Sequence, residues 1–315
     1  MGGSERRRGF DPVVIAIAAV AALVLLPAAL AIVLPVRLTQ SLLLEPFGQY
    51  IDASQTNAFV LFIVFSVCVL ISIRRARAGE GLYIRPIAGL KAVDEAIGRA
   101  TEMGKKVLYV PGIQSMDEIQ TIASLAVLGH VAKQTALYGA ELDVPNRDPL
   151  TYAAARETVR QAYLESGRPD AYKESIVNYV TYDQWALTAA ITGRMLREKP
   201  AAHFFVGSFY AESLMLAEVG QSTGAMQIAA TAEIAQIPFF VCACDYTLIG
   251  EEFYAASAYL SREPMLLGST KGQDWVKFLV IGWLVAGGAA LLLSGVFPGS
   301  ATLAGFSDWM TRVLG

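Results

Sequence analysis

The sequence has few of the residues and motifs on which common enzyme chemistry depends. It contains only three cysteines and two histidines, which leaves little material for a Cys–His or Ser–His mechanism. His130 is predicted to lie inside a helix and His203 at the start of a strand, away from the usual ligand-binding end. Neither a phosphate-binding loop, a dinucleotide fingerprint, a zinc-protease motif nor a nucleophile elbow occurs. These absences favour a non-catalytic protein with no cofactor, although they do not exclude an enzyme.

Charged residues are also scarce, at 17% of the chain against 54% hydrophobic residues. The apolar excess is concentrated in three uncharged runs, 13–36, 57–73 and 278–297. A helix of about 20 apolar residues crosses a bilayer, so these runs predict three transmembrane helices. The first run is too long for the apolar part of a cleaved signal peptide.

The basic residues that flank these runs predict an orientation. Arg6–Arg8 precede the first run and Arg74, Arg75 and Arg77 follow the second, so both flanks belong on the cytoplasmic side. We therefore expect a multi-pass protein of the plasma (inner) membrane, with a cytoplasmic main domain and an external C-terminus. The predicted segments are a cytoplasmic N-terminus (1–12), transmembrane helix 1 (13–36), an external, partly amphipathic loop (37–56), transmembrane helix 2 (57–73), a cytoplasmic α/β domain (74–275), transmembrane helix 3 (276–297) and an external amphipathic tail (298–315).

Short apolar runs alternate with helical patterns in the main domain. Helix starts are indicated by the capping box Ser115–Glu118 and by Asp148 followed by Pro149. Strands that are apolar throughout and separated by helices are typical of a parallel sheet covered on both faces. The predicted fold class is therefore α/β, Rossmann-like or flavodoxin-like, with a mostly parallel sheet flanked by helices, plus the three transmembrane helices. The predicted strands are 107–110, 140–144, 176–180, 202–206, 225–230 and 238–243.

Polar residues follow several of these strands, at the edge where such folds bind ligands. The same residue types also cap helices, and capping is the favoured interpretation at any single position. Their convergence nevertheless makes this edge the best candidate for a ligand-binding site. The candidate ligand-binding residues are Asp183, Ser208, Glu212, Asp245 and Thr247.

The stretch VCACDYTLIGEE, residues 241–252, combines several reactive residue types. Cys242 and Cys244 are two apart in a predicted strand, which places them on one face. No second cysteine pair or histidine cluster completes a zinc site, so core thiols are favoured over a metal. Asp245 then follows the strand, either as a helix cap or as a ligand contact.

The net charge and the spacing of small residues in the third apolar run indicate which partners to expect. A net charge of −3 without a basic stripe argues against nucleic acid. The predicted spans imply the lipid bilayer as a partner. Gly282, Ala286 and Ala290 recur every four residues in the third span, a spacing that allows close helix packing. A homo-oligomer or a larger membrane complex is therefore expected.

Three phrases carry a resemblance to a known family. They are AIGRATEMGKKVLYVPG, REKPAAHFFVGSFYAESLMLAEVG and CDYTLIGEEFYAASAYLS. At these phrases the chain resembles a family of prokaryotic membrane-anchored proteins known as a domain of unknown function. The resemblance implies a membrane-anchored setting and carries no assigned activity, so no catalytic residue is transferred.

Two functions follow from these observations. The leading hypothesis is a membrane-anchored cytoplasmic α/β domain that acts as a non-catalytic scaffold or as a subunit of an oligomeric complex. The alternative is a ligand-sensing domain or an unrecognised enzyme that binds a nucleotide, sugar or divalent cation at the carboxyl edge of the sheet. The two hypotheses are distinguished by whether this edge of the sheet is an open pocket or is filled by side chains.

Overall fold

A computed structural model describes residues 56–79 and 88–296. The contacts divide the chain into two compact units, one from Gly81 to Thr270 and one that combines the chain up to Glu80 with the chain from Lys271. The predicted segments 1–12, 13–36 and 298–315 lie outside the described residues, as does all but the last residue of 37–56.

The unit from Gly81 to Thr270 contains a six-stranded sheet in the order β3-β2-β1-β4-β5-β6. Every neighbouring pair is parallel. This is the strand order of the Rossmann fold rather than of the flavodoxin-like fold, and the predicted α/β class with a parallel sheet is confirmed. The strands are β1 Val107–Val110, β2 Leu142–Asn146, β3 Val177–Tyr179, β4 Ala202–Val206, β5 Met226–Thr231 and β6 Tyr246–Ile249.

Helices cover both faces of this sheet. The helices of this unit are α2 Ala88–Glu102, α3 Ile119–Tyr138, α4 Pro149–Glu165, α5 Gln184–Glu198, α6 Glu212–Ser222, α7 Ile237–Ala243 and α8 Glu251–Ser261, with short 3-10 turns at Pro169–Ala171 and Glu174–Ile176. Helix α1 Thr56–Arg77 belongs to the other unit, and helix α9 Pro264–Val296 has residues in both. Alternate strand residues enter two separate cores. Tyr109 and Phe204 pack on the side of α2, α3, α4 and α8, and Leu108 and Phe205 pack on the side of α5, α6 and α7.

Burial on both faces explains why these strands are apolar throughout. All residues of β1 and β4 are buried, so neither strand shows the alternation of a half-exposed sheet. The aromatic side chains of Phe205, Phe209 and Phe240 pack together in the second core, with ring centroids 5.4–6.4 Å apart: Phe205 and Phe240 are stacked, and Phe209 meets both edge to face. Aromatic residues bury a large apolar area each, so this cluster fixes α7 on the sheet.

The predicted transmembrane helices are wrong for the described residues. None of the helices in the ranges 56–79 and 88–296 is at once long enough and apolar enough to cross a membrane. Helix α1 contains 57–73, and helix α9 contains most of 276–297. The same finding contradicts the predicted multi-pass location in the inner membrane.

The predicted sixth strand, 238–243, is also wrong. These residues form helix α7, and the sixth strand is Tyr246–Ile249. Pro238 occupies the first turn of the helix, where its missing N–H is not needed. The helical turn places Phe240 against the aromatic core, and this packing decides between the two structures. Cys242 and Cys244 therefore do not share a strand face.

Candidate functional site

The carboxyl edge of the sheet is where a doubly wound fold binds ligands, at the point where the strand order reverses. In this chain that point lies between β1 and β4, whose following loops meet backbone to backbone. The Ile113 N–H donates to the Ser208 carbonyl at 3.0 Å. Gly112 and Gly207 have φ of 83° and 128°, and a Cβ on Gly112 would lie 2.8 Å from the Ser208 carbonyl oxygen. The chain itself fills the usual ligand crevice.

Arg147, which follows β2, closes the crevice on the β3 side. Its Nη1 donates to the Ile113 carbonyl and its Nε to the Tyr182 carbonyl, both at 2.7 Å. The guanidinium also lies over the Tyr182 ring, with Cζ 4.6 Å from the ring centroid. One side chain thus ties the loop after β1 to the loop after β3.

Glu212 and Ser208, two of the candidate ligand-binding residues, are buried beneath these loops. The Glu212 carboxylate accepts a hydrogen bond from the Tyr210 N–H at 2.8 Å and another from the Gln184 side chain. A buried carboxylate needs such donors, because an unpaired charge away from water is costly. The Glu212 carboxylate therefore has structural partners already in place, whereas the hydrogen bond shown for Ser208 is made by its backbone carbonyl.

Asp183 lies at the same edge and caps helix α5, since its carboxylate accepts from the Ala186 N–H at 2.7 Å. Asp148 caps α4 in the same way, through the Thr151 N–H at 2.8 Å. Burial acts to raise the pKa of Asp148, but hydrogen bonds from Thr151 and Ser115 outweigh it, and the pKa is lowered. The capping interpretation accounts for both carboxylates.

Asp245 and Thr247 lie away from the other three candidates. Asp245 precedes β6 and so belongs to the amino edge, where its carboxylate accepts from the Gln227 N–H at 2.8 Å. Thr247 lies within β6, and its buried Oγ1 has no hydrogen-bond partner among the described residues. Three of the five candidates are thus brought to one edge, and all five stay predictions as ligand-binding residues.

Within the described part of the chain, no group of three or more histidine, cysteine or acidic residues is placed to hold a metal ion.

The sequence interpretation missed an exposed apolar surface at the carboxyl edge. We call this surface the carboxyl rim: the loops after the six strands and the first turns of the helices that follow. Its side chains include Tyr182, Trp185 and Ile234, which are 60%, 53% and 82% exposed. The exposed large apolar residues of the carboxyl rim are Ile119, Ile122, Leu150, Tyr182, Trp185, Tyr210, Leu214, Met215 and Ile234.

The carboxyl rim also carries a strong excess of acidic residues. They are Asp117, Glu118, Asp148, Asp183, Glu233, Glu251 and Glu252, in addition to the buried Glu212. Arg147 is the basic residue of these segments, and its side chain is already engaged by Tyr182 and Ile113. The helix starts explain some of the carboxylates, because negative charge stabilises a helix N-terminus. The surface is therefore apolar and negative at the same time.

Comparisons with known proteins give a family without a function. Residues 46–301 match the family model described as Domain of unknown function (DUF6754). No curated protein and no solved structure matches the chain.

Proposed function

The chain belongs to the DUF6754 family, and we propose that its α/β unit is a non-catalytic scaffold that binds a basic, amphipathic segment of a partner protein at the carboxyl rim. The observation that carries the proposal is the combination at one edge of a filled crevice and an exposed surface of aromatic and acidic residues. The prokaryotic origin implied by the resemblance stays a prediction.

The filled crevice favours a scaffold over an enzyme or a small-molecule sensor at this edge. The contact between Gly112 and Ser208 occupies the position at which the phosphates of a nucleotide would approach the backbone. The Glu212 carboxylate is buried and hydrogen bonded, so it does not face an open site. A larger partner that covers the edge from outside needs neither feature to change.

The exposed side chains define the chemistry of that partner. Tyr and Trp are enriched among the residues that dominate binding energy in protein interfaces, and Tyr182 and Trp185 lie close together in sequence at this edge. The surrounding carboxylates attract a basic partner and repel an acidic one. A second copy that presented its own carboxyl rim would place like charges opposite each other. A homo-oligomer built through another surface, and membership of a larger complex, stay predictions.

The proposal is tested by titrating the purified full-length chain with a labelled helical peptide that carries leucine on one face and lysine on the other. A peptide of the same design with glutamate in place of lysine is the control. Fluorescence anisotropy should show binding of the lysine peptide alone, and the affinity should fall as salt is added.

Two alanine variants locate the surface. Trp185→Ala should weaken binding roughly tenfold or more, because it removes an aromatic anchor of the carboxyl rim. Tyr138→Ala is the matched control: this aromatic residue is 55% exposed but ends helix α3 at the opposite edge. The proposal fails if the lysine peptide does not bind, or if the Tyr138 variant loses as much affinity as the Trp185 variant.

A further inference from the structure

A cavity of about 670 Å³ opens at the amino edge of the sheet, opposite the carboxyl rim. It lies where β1, β2 and β3 begin, and its lining includes Lys106, Asp143 and Arg194. Its volume falls within the range of roughly 300–1,000 Å³ that is typical of small-molecule sites. The position departs from the rule that places ligands at the carboxyl ends of the strands.

One wall of the cavity is a closed polar network of three side chains. Arg194 donates to both oxygens of Asp143, at 2.9 and 3.0 Å, and to the Asn178 side-chain oxygen at 2.7 Å. The Asn178 amide in turn donates to Asp143 at 2.9 Å. Each member is held by the other two, so the wall is preorganised for a polar ligand.

An ion pair between Lys106 and Glu198 lines the cavity near the start of β1. Lys106 donates to Glu198 at 2.9 Å. This hydrogen bond is the main cause that raises the pKa of Lys106, while burial acts in the opposite direction. The lysine therefore stays charged and is balanced by its carboxylate partner.

Two further cations of the lining, Arg168 and Lys173, form no ion pair with any residue in the described ranges. Both follow helix α4 and are exposed. Arg168 acts on the neighbouring Tyr163: burial raises the pKa of this hydroxyl, and the charge of Arg168 opposes the rise. The lining holds four cations and three carboxylates, the carboxylates being Glu141, Asp143 and Glu198, so it has an excess of one positive charge. Because the three carboxylates lie against Lys106 and Arg194, this excess is located at Arg168 and Lys173.

We propose that this amino-edge cavity binds a small phosphate monoester, with Arg168 and Lys173 contacting the phosphate. A phosphate monoester carries a charge of about −1.5 to −2 at pH 7, which two unpaired cations match. Arginine supplies a planar fork for phosphate oxygens and lysine supplies a point charge. The Asp143–Asn178–Arg194 wall is left to contact the uncharged part of the ligand.

The test is isothermal titration calorimetry on the purified full-length chain, with AMP and glucose 6-phosphate as probes. Adenosine and glucose are their matched controls without phosphate. At least one of the two phosphates should bind, and neither control should. Absence of binding by both phosphates, or equal binding by a phosphate and its control, overturns the proposal.

Charge-removing variants assign the contact. Arg168→Gln and Lys173→Gln should each weaken binding roughly tenfold, because each removes a charge-assisted hydrogen bond to the phosphate. Both residues are exposed, so both variants should fold. Lys105→Gln is the control, because Lys105 is exposed beside the cavity but is not part of its lining. An equal loss of phosphate affinity in the Lys105 variant would contradict the proposed contacts.

Discussion

Gly112 lies against Ser208 so closely that a Cβ on the glycine would be 2.8 Å from the Ser208 carbonyl oxygen and 3.0 Å from its nitrogen. The approach is mutual, because a Cβ on Gly207 would lie 2.8 Å from the Pro111 carbonyl oxygen. Real side chains do not tolerate such distances. The two loops at the reversal of strand order therefore meet only because both residues are glycine, and their contact closes the crevice.

Replacing Gly112 tests this contact. Gly112→Ala should lower the free energy of unfolding by roughly 2–4 kcal/mol, because it adds a steric overlap to a φ of 83° that L-residues avoid. Urea unfolding measures the loss. Gly104→Ala is the control: its φ is 60° but no atom lies within 4 Å of the new Cβ, so we expect a loss of about 1–2 kcal/mol. Equal losses would mean that the loops do not touch.

Gly220, in helix α6, packs against the buried polar pair His203 and Gln227. A Cβ at this position would lie 2.8 Å from the Gln227 Cδ and 2.9 Å from the His203 Nδ1. The Gln227 side chain is held by bonds to the Ala217 and Ala243 carbonyls, at 3.0 and 2.8 Å, so it has little freedom to move.

Gly220→Ala should therefore destabilise the protein by about 1–3 kcal/mol. Gly98→Ala, in helix α2, is the matched control because the new Cβ would meet open space. There alanine should instead stabilise the protein by about 0.5–1 kcal/mol through its higher helix propensity. Thermal unfolding of the two variants should shift in opposite directions, and a shift in the same direction would contradict the packing around Gly220.

His203 should make the stability depend on pH. Burial lowers its pKa from 6.5 to about 4, and the neighbouring Gln227 acts in the opposite direction. The folded state therefore binds its proton less readily than the unfolded state. The stabilising contribution is complete above pH 6.5 and is lost as the pH falls towards 4, with a total of about 3 kcal/mol.

The histidine contribution is isolated by comparison with His203→Leu. Urea unfolding between pH 7 and 4 should show a steeper loss in the unchanged chain than in the variant, since the carboxylates titrate in both. Parallel pH profiles would show that His203 is accessible to protons in the folded protein.

The two cysteines near β6 should differ in reactivity. Cys242 is exposed on helix α7. Burial and the charge of Asp245 raise the pKa of Cys244 to about 12, which leaves almost no thiolate, the reactive form, at pH 8. Alkylation of the folded chain followed by peptide mass spectrometry should modify Cys242 and leave Cys244 intact until the chain is unfolded. Equal modification in the folded state would contradict the placement of Cys244.

Local signals in the sequence predicted much of the sheet unit. The runs 107–110 and 202–206 are strands at the predicted bounds, and Asp148 with Pro149 starts a helix as expected. The capping box predicted at Ser115–Glu118 is wrong: helix α3 begins at Ile119, its N-cap residue is Glu118, and no side chain caps it. The bounds of these elements depend on nearby residues, namely an apolar run or a proline, and for this reason they could be predicted from the sequence.

Features that depend on distant contacts could not be predicted. The apolar run 238–243 fits a buried strand or a buried helix equally well by periodicity, and only the contact of Phe240 with Phe205 decides for the helix. That error moved Asp245 to the wrong edge of the sheet. The closure of the crevice likewise depends on Gly112 and Gly207, which are far apart in sequence and meet only because β1 and β4 are neighbours.

Hydrogen exchange of the full-length chain, with and without the lysine peptide, tests the central claim most directly, because it locates the bound surface without any substitution. The scaffold account predicts slower exchange in the carboxyl rim, in segments 180–187 and 208–216, and unchanged exchange in 133–140 at the amino edge. Slower exchange confined to the amino edge, or no change in the carboxyl rim under saturating peptide, would contradict it.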